Sequence, residues 1–227
     1  MQSKNNFIDS NFFNIMNYVF NFSMSSLYFI LCNSLLIIGM LFFSFTYENS
    51  ILFFIFLLPT GPSLTAMFFV MNKLIKHKEI DATKDFFSSY KANFKQSIMI
   101  WIIELVIISI LLFDLYIFSL MPKAISSLGV SFVFVSILFT FLLTFYSFSI
   151  LSIFKVTTKN LLKISFISIF KYFHTTFCII SVTFLSALLL LKWPFETLIF
   201  SSVIAYILMF TFKAVLLDIE NNLYKPA

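Results

Sequence analysis

Six apolar stretches, each long enough to cross a lipid bilayer, constrain this chain more than any other feature of its sequence. A transmembrane helix needs about 20 mostly apolar residues to cross the hydrocarbon core. Because backbone groups find no water there, a helix that satisfies its own hydrogen bonds is the expected element in every stretch. We therefore predict an all-α fold, a polytopic transmembrane helical bundle with spans at about 26–46, 50–72, 97–120, 128–152, 172–191 and 195–216.

The composition agrees with a membrane protein. The chain is 60% hydrophobic and only 11% charged, with a mean hydropathy of +1.00, whereas soluble domains carry roughly 25% charged residues. A soluble enzyme or a nucleic-acid-binding protein is thereby excluded, and residues 1–227 are expected to form a single integral membrane domain.

The lysines indicate the orientation in the membrane. All 15 basic residues are lysines, and they concentrate in two links, 73–96 and 153–171. Loops rich in lysine stay in the cytoplasm. Both links fall on one side of a six-span layout, so we predict a bacterial plasma membrane protein with cytoplasmic N- and C-termini. The N-terminus lacks a signal-peptide pattern, and residues 1–25 are expected to be an uncleaved interfacial segment.

Two further helices are predicted to lie at the level of the lipid headgroups. In 81–96, aromatic residues recur at helical spacing and lysines occupy other positions, which suits rings in lipid and amines near anionic phosphates. Asp81 or Thr83 is the expected N-cap. In the second link, Lys155, Lys159 and Lys163 form one basic stripe, either snorkelling at a helix end or binding lipid. The aromatic residues of the predicted helix at 81–96 are Phe86, Phe87, Tyr90 and Phe94.

The second span contains a helix breaker. Pro59 and Pro62 each lack a backbone donor, and the residue before a proline is held away from the α region, which here is Gly61. We expect one piece over 51–58 and a second that runs to about Lys76, capped by Ser63 or Thr60. The groups freed by the break must be shielded by neighbouring helices or water.

One carboxylate lies deep inside the third span. Glu104 follows Ser97 by seven residues, about 10 Å along a helix. A charge at that depth costs about 2.5–3.5 kcal/mol on insertion scales, so Glu104 should face protein or a water-filled cavity. Its candidate partners are Lys213, Lys155 and His174. We therefore predict an intramembrane polar site of Glu104, His174 and Lys213, which is either an ion or proton site or an interhelical hydrogen bond.

The remaining polar and sulfur-containing residues point to structural roles. Asp114 lies ten residues beyond Glu104 and on another face of the helix, which makes the two carboxylates a poor acid–base pair. Asn93 and Gln96 flank the start of the third span, where Asn93 is a candidate cap. Cys32 and Cys178 lie in apolar runs without metal-ligand spacing. We expect no metal, no cofactor and no catalytic residues.

Three blocks carry a resemblance to a known family. The sequence "PTGPSLTAMFF", the block "NFKQ" at 93–96 and the pair Asp114–Leu115 resemble the YesL-type family of bacterial integral membrane proteins. The family's motif falls on Thr60, Gly61, Pro62 and Ala66, with Pro59 beside them, and on Asn93, Phe94, Lys95 and Gln96. The resemblance implies a domain of unknown function, encoded near systems for carbohydrate uptake and degradation.

Two functions remain open from the sequence. The first is an accessory or regulatory membrane protein associated with carbohydrate uptake, whose partners are anionic lipid headgroups and a transporter subunit or another membrane protein. The second is a small secondary transporter with an intramembrane carboxylate site, because interrupted helices often build such sites. An enzyme is not expected, since the spans contain no nucleophile–base pair and no metal set.

Overall fold

The computed structural model describes residues 2–44, 46, 48–77 and 80–223, with the backbone alone for 2–14, 123–125 and 223. The chain is 89% helical, and the described residues contain no strand. The helices in this part of the chain are α1 (Gln2–Cys32), α2 (Ser34–Phe42), α3 (Ser50–Leu57), α4 (Thr60–Lys76), α5 (Ala82–Ser119), α6 (Lys123–Leu151), α7 (Thr158–Lys171), α8 (Phe173–Lys192), α9 (Pro194–Ile199) and α10 (Ser201–Leu223).

Among the described residues, six helical stretches are long and apolar enough to cross a membrane. This confirms the predicted polytopic all-α bundle. The stretches are Ile15–Cys32, Ser50–Lys76, Ala82–Ser119, Ser126–Leu151, Phe173–Lys192 and Ser201–Asn222.

The first stretch differs from the predicted one. The prediction placed the span at 26–46, but the helix is interrupted at Asn33 and the next piece, α2, has only 9 residues. Such a piece is about 14 Å long and cannot cross the hydrocarbon core alone. The apolar helix reaches back at least to Ile15 instead, so residues 15–25 belong to a candidate span.

The third stretch also differs, because the expected headgroup-level helix and the following span are one helix. Helix α5 has 38 residues, about 57 Å, which exceeds the roughly 30 Å hydrocarbon core. Asp81 caps it as predicted, its side chain accepting from the Lys84 amide at 3.0 Å. The Phe86 ring, predicted to lie in lipid, is fully buried against the Tyr28 ring at 5.7 Å. Tertiary contact with α1 therefore determines how this segment packs.

Helix α4 lies at the centre of the bundle, in contact with α1, α5, α6 and α10. Ala66, Val70 and Met71 on this helix are fully buried. The Phe145 ring meets the rings of Phe68 and Phe212 edge to face, each at 5.4 Å. This arrangement is favourable for aromatic pairs beyond the area they bury, and it fixes α4 against α6 and α10.

Candidate functional site

The predicted interruption of the second span is present. Helix α3 ends at Leu57 and α4 begins at Thr60. The Leu57 carbonyl, which the break leaves without its helical partner, accepts a hydrogen bond of 2.7 Å from the Trp101 indole Nε1. The break is therefore shielded by α5, as the absence of water in a bilayer requires.

Two details of the break correct the sequence prediction. No side chain caps α4, and the residue before the helix is Pro59. Gly61 lies inside the helix and not before it. Pro62 is tolerated in the first turn because the amides there have no helical partner. The Ser63 hydroxyl donates to the Thr60 carbonyl at 2.9 Å, and the Thr60 hydroxyl donates to Asn33 Oδ1 at 2.7 Å.

A second interruption meets the first. Asn33 lies in the turn between α1 and α2, where its Nδ2 donates to Phe29 O at 2.8 Å and to Ser63 Oγ at 2.9 Å. Together with the bond from Thr60, these contacts join two interrupted helices at their breaks. Sequence reasoning missed Asn33, although a single asparagine inside an apolar run was a usable signal, since a buried amide needs partners.

One face of α5 covers this junction. Ser97, Trp101 and Glu104 follow one another at helical spacing on its buried side. The Ser97 hydroxyl donates to Thr65 Oγ1 at 3.1 Å. A Cβ on Gly61 would lie 2.7 Å from the Trp101 Cβ, so glycine alone permits this approach. The junction is thus closely packed.

Glu104 lies one turn beyond Trp101 on the same face. It is 4% exposed, and neither carboxyl oxygen has a hydrogen-bond partner among the described residues. The Thr144 side chain of α6 is the neighbouring polar group, although its hydroxyl donates to Thr140 O at 3.0 Å. A buried carboxyl without partners is rare and needs an explanation.

The other members of the predicted polar site lie elsewhere. His174 and Lys213 are exposed, as is Lys155. No hydrogen bond or ion pair links any of them to Glu104 within the described residues. The structure places Glu104 in the interior and the two other predicted residues, His174 and Lys213, on the surface.

The residues of the resemblance occupy different environments. Ala66 is fully buried, Phe94 and Lys95 are exposed, and Asp114 is half-buried. Asn93, predicted as a cap, is inside α5 and donates to Ser89 Oγ at 3.3 Å. The Gln96 amide donates to the Val156 carbonyl at 2.9 Å. That bond brings the two lysine-rich links together.

Ion pairs hold the lysine-bearing helix ends together. Lys73 Nζ contacts both Asp85 carboxylate oxygens, at 2.6 and 2.7 Å. Lys171 Nζ donates to Asp218 Oδ2 at 2.6 Å, and the Tyr172 hydroxyl donates to the same oxygen. The bond to Asp218 raises the pKa of Lys171 above its ordinary value. The pKa of Tyr172 is raised first by burial and then by Asp218.

Two cavities in the described part of the chain lie away from Glu104. One, of about 470 Å³, lies between α1 and the α9–α10 segment and is lined mainly by apolar side chains with Ser26 and Ser202. The other, of about 200 Å³, lies beside Lys171 and Asp218. No group of three or more potential metal ligands occurs among the described side chains.

Fold and site together define a class: a multi-pass helical membrane protein whose polar interior centres on two interrupted helices and a buried carboxyl. Residues 27–115, less than half of the chain, are similar to a family described as "Protein of unknown function, DUF624". This range contains both interruptions, Glu104 and all three blocks of the resemblance. Neither the comparison with curated proteins nor that with solved structures gives a match.

Proposed function

We propose that this protein is an accessory or regulatory component of a bacterial plasma membrane assembly for carbohydrate uptake, with both termini in the cytoplasm. The blocks at Thr60–Ala66 and Asn93–Gln96 support this, through their resemblance to the YesL-type family. The close packing of Gly61 against Trp101 also supports it, because this contact closes the helix junction.

The observation that carries the proposal is Lys213. It lies within the candidate span Ser201–Asn222 but is exposed, without an ion pair or hydrogen bond among the described residues. Its neighbours one turn away on the same helix face, Phe210 and Leu217, are exposed and apolar. A lysine in hydrocarbon costs about 2.5–3.5 kcal/mol on insertion scales. A partner helix with a carboxylate at the same depth compensates that cost.

Anionic lipid headgroups are the second proposed partner. Six lysines of the two joined links are exposed and form no ion pair within the described part of the chain. Clustered lysines next to membrane spans attract anionic lipids by about 1 kcal/mol each. The six are Lys84, Lys91, Lys95, Lys155, Lys159 and Lys163.

A photo-reactive amino acid in place of Phe210 tests the partner proposal in intact membranes. We expect a cross-linked product with a subunit of a sugar importer, because Phe210 is 59% exposed one turn from Lys213. The same amino acid at Phe184, 65% exposed on α8, is the matched control and should give no such product. Lys213→Leu should abolish the product. Lipid adducts alone at both positions would contradict the proposal.

A secondary transporter is the second candidate function, favoured by the unpartnered carboxyl of Glu104. In proteoliposomes, the wild-type chain should then move a solute together with an ion, and Glu104→Gln should reduce that flux at least tenfold, about 1.4 kcal/mol of activation free energy. Glu196→Gln, which changes an exposed glutamate of α9, is the matched control. Absence of flux for every sugar and ion tested in the wild type excludes transport.

A further inference from the structure

The Glu104 carboxyl is an unusually costly group for a protein interior. It is more than nine-tenths buried, and neither of its oxygens has a partner in the described part of the chain. Removing an ionised carboxylate from water without compensation is far more costly than burying a neutral polar group. The carboxyl is therefore expected to be neutralised, either by a bound proton or by a cation next to it.

The neighbouring threonine of α6, Thr144, offers an acceptor and no donor, and Thr140 one turn before it is bonded in the same way. The Thr144 hydroxyl donates to Thr140 O at 3.0 Å, and the Thr140 hydroxyl donates to Ser136 O at 2.9 Å. Both side chains are buried, at 7% exposure each. Because each hydroxyl donates its one proton to a backbone carbonyl, only its lone pairs remain for a further contact. Thr144, the neighbour of the carboxyl, thus adds another acceptor oxygen to the two of Glu104.

We infer that Glu104 and the Thr144 hydroxyl form a monovalent cation site between α5 and α6, which holds a proton or Na⁺. A proton bound to Glu104 supplies the missing donor and lets the carboxyl hydrogen-bond to Thr144 Oγ1. Na⁺ satisfies the same oxygens by coordination, because carboxylate, hydroxyl and carbonyl oxygens suit hard cations.

Among the described side chains, no other charged group bonds to the Glu104 carboxyl. Helices α1, α4 and α6 pack against α5, and none of their described side chains bonds to Glu104. Their titratable groups contact other residues: Lys73 pairs with Asp85, Lys76 with Glu220, Tyr28 with Thr83, Tyr146 with Thr176, Tyr18 with Phe22, and Cys32 lies near Tyr90.

The test is covalent labelling of the full chain in liposomes with dicyclohexylcarbodiimide, an apolar reagent that enters bilayers. A protonated carboxyl gives its proton to a carbodiimide nitrogen, and its oxygen then bonds to the central carbon, so the adduct contains the whole reagent. Peptide mass spectrometry at Glu104 compares pH 6 with pH 9, and KCl with NaCl at each pH. Glu104→Gln gives the background.

A proton site predicts labelling at pH 6 that falls several-fold at pH 9, equally in both salts. A Na⁺ site predicts protection by NaCl over KCl at constant pH. Labelling that responds to neither pH nor Na⁺ overturns the inference, as does an unlabelled Glu104 in preparations whose other carboxyls react.

A matched pair of variants tests the role of Thr144. Thr183 on α8 has the same backbone contact, donating to Ile179 O at 2.7 Å. In Thr144→Val, Na⁺ protection should be lost or, for a proton site, the infrared C=O band of Glu104 should move to higher frequency. Thr183→Val should change neither. Equal effects in both variants overturn the role of Thr144.

The inference deepens the second candidate function by naming the class of ion, and it rests on the same residue. Labelling and infrared spectra are measured without a solute gradient. A site that binds its cation while proteoliposomes show no flux therefore contradicts transport and leaves the cation site supported. Failure of the labelling test removes the site itself.

Discussion

Trp101→Ala is expected to destabilise the folded bundle by about 3–5 kcal/mol, the range for removing a buried aromatic side chain. The indole is 9% exposed, packs against the Phe148 ring at 5.9 Å and donates to the Leu57 carbonyl. Alanine leaves a cavity at the helix junction and an unsatisfied carbonyl. The measurement is the free energy of unfolding in mixed detergent micelles.

Two variants separate the contributions of Trp101. Trp101→Phe keeps an aromatic ring but loses the N–H donor, so it should cost about 1–3 kcal/mol, the penalty of an unsatisfied carbonyl. Trp193→Ala removes the chain's other tryptophan, which is 47% exposed, and should stay within about 0.5 kcal/mol. Equal losses for Trp101→Ala and Trp193→Ala contradict the assigned role.

Gly61→Ala is expected to cost about 1–3 kcal/mol, the usual range for overpacking. Its new Cβ would lie 2.7 Å from the Trp101 Cβ and 2.8 Å from its Cγ. Those atoms are close to the α5 backbone, so relief requires a shift of the helix. The measurement is the free energy of unfolding in micelles, compared with that of the unmodified chain.

Gly39→Ala is the matched control. Its Cβ would lie 2.5 Å from Cδ2 of Phe56, but that ring can turn away, and alanine gains up to about 1 kcal/mol of helix propensity over glycine. We therefore expect little loss. In the Trp101→Ala background, Gly61→Ala should lose most of its cost, because directly contacting residues couple in a double-mutant cycle. Additive effects of the two changes exclude this contact as the cause.

The bundle was predictable because its determinants are local. Runs of about 20 apolar residues permit only a helix in lipid, and prolines 59 and 62 interrupt one at a position readable from the sequence. The Asp81 cap was predictable for the same reason, since a cap depends on residues within one helical turn.

Features set by contacts between distant helices were not predictable. The pattern of rings and lysines in 81–96 predicts that Phe86 faces lipid, yet Phe86 is buried against the Tyr28 ring of α1. Asn33, where α1 ends, bonds through its side-chain amide to Thr60 and Ser63, which are about 30 residues away in sequence. Nothing in the local sequence specifies either contact.

The candidate site likewise has one feature that the sequence predicts and one that it does not. The cost of a charge in lipid predicts that Glu104 faces protein, whichever helix covers it. Whether Lys213 or His174 could be its partner depends on how α10 and α8 are rotated about their axes, which the sequence does not show. Those rotations follow from packing on α4 and α6, where Phe212 and Tyr146 are the interior residues and Lys213 faces outward.

The hydrogen bonds between Asn33 and α4 have a consequence for membrane insertion. When α1 and α2 enter the bilayer alone, the Asn33 side chain lacks the Thr60 and Ser63 hydroxyls, and the α3–α4 turn likewise lacks Asn33. Each of the two spans alone therefore exposes unsatisfied polar groups to lipid, and contact with the other span satisfies them. The first two spans thus satisfy each other's polar groups when they assemble. Trp101 of the third span then donates a hydrogen bond to the Leu57 carbonyl. The order of synthesis along the chain is also the order in which these polar groups acquire their partners.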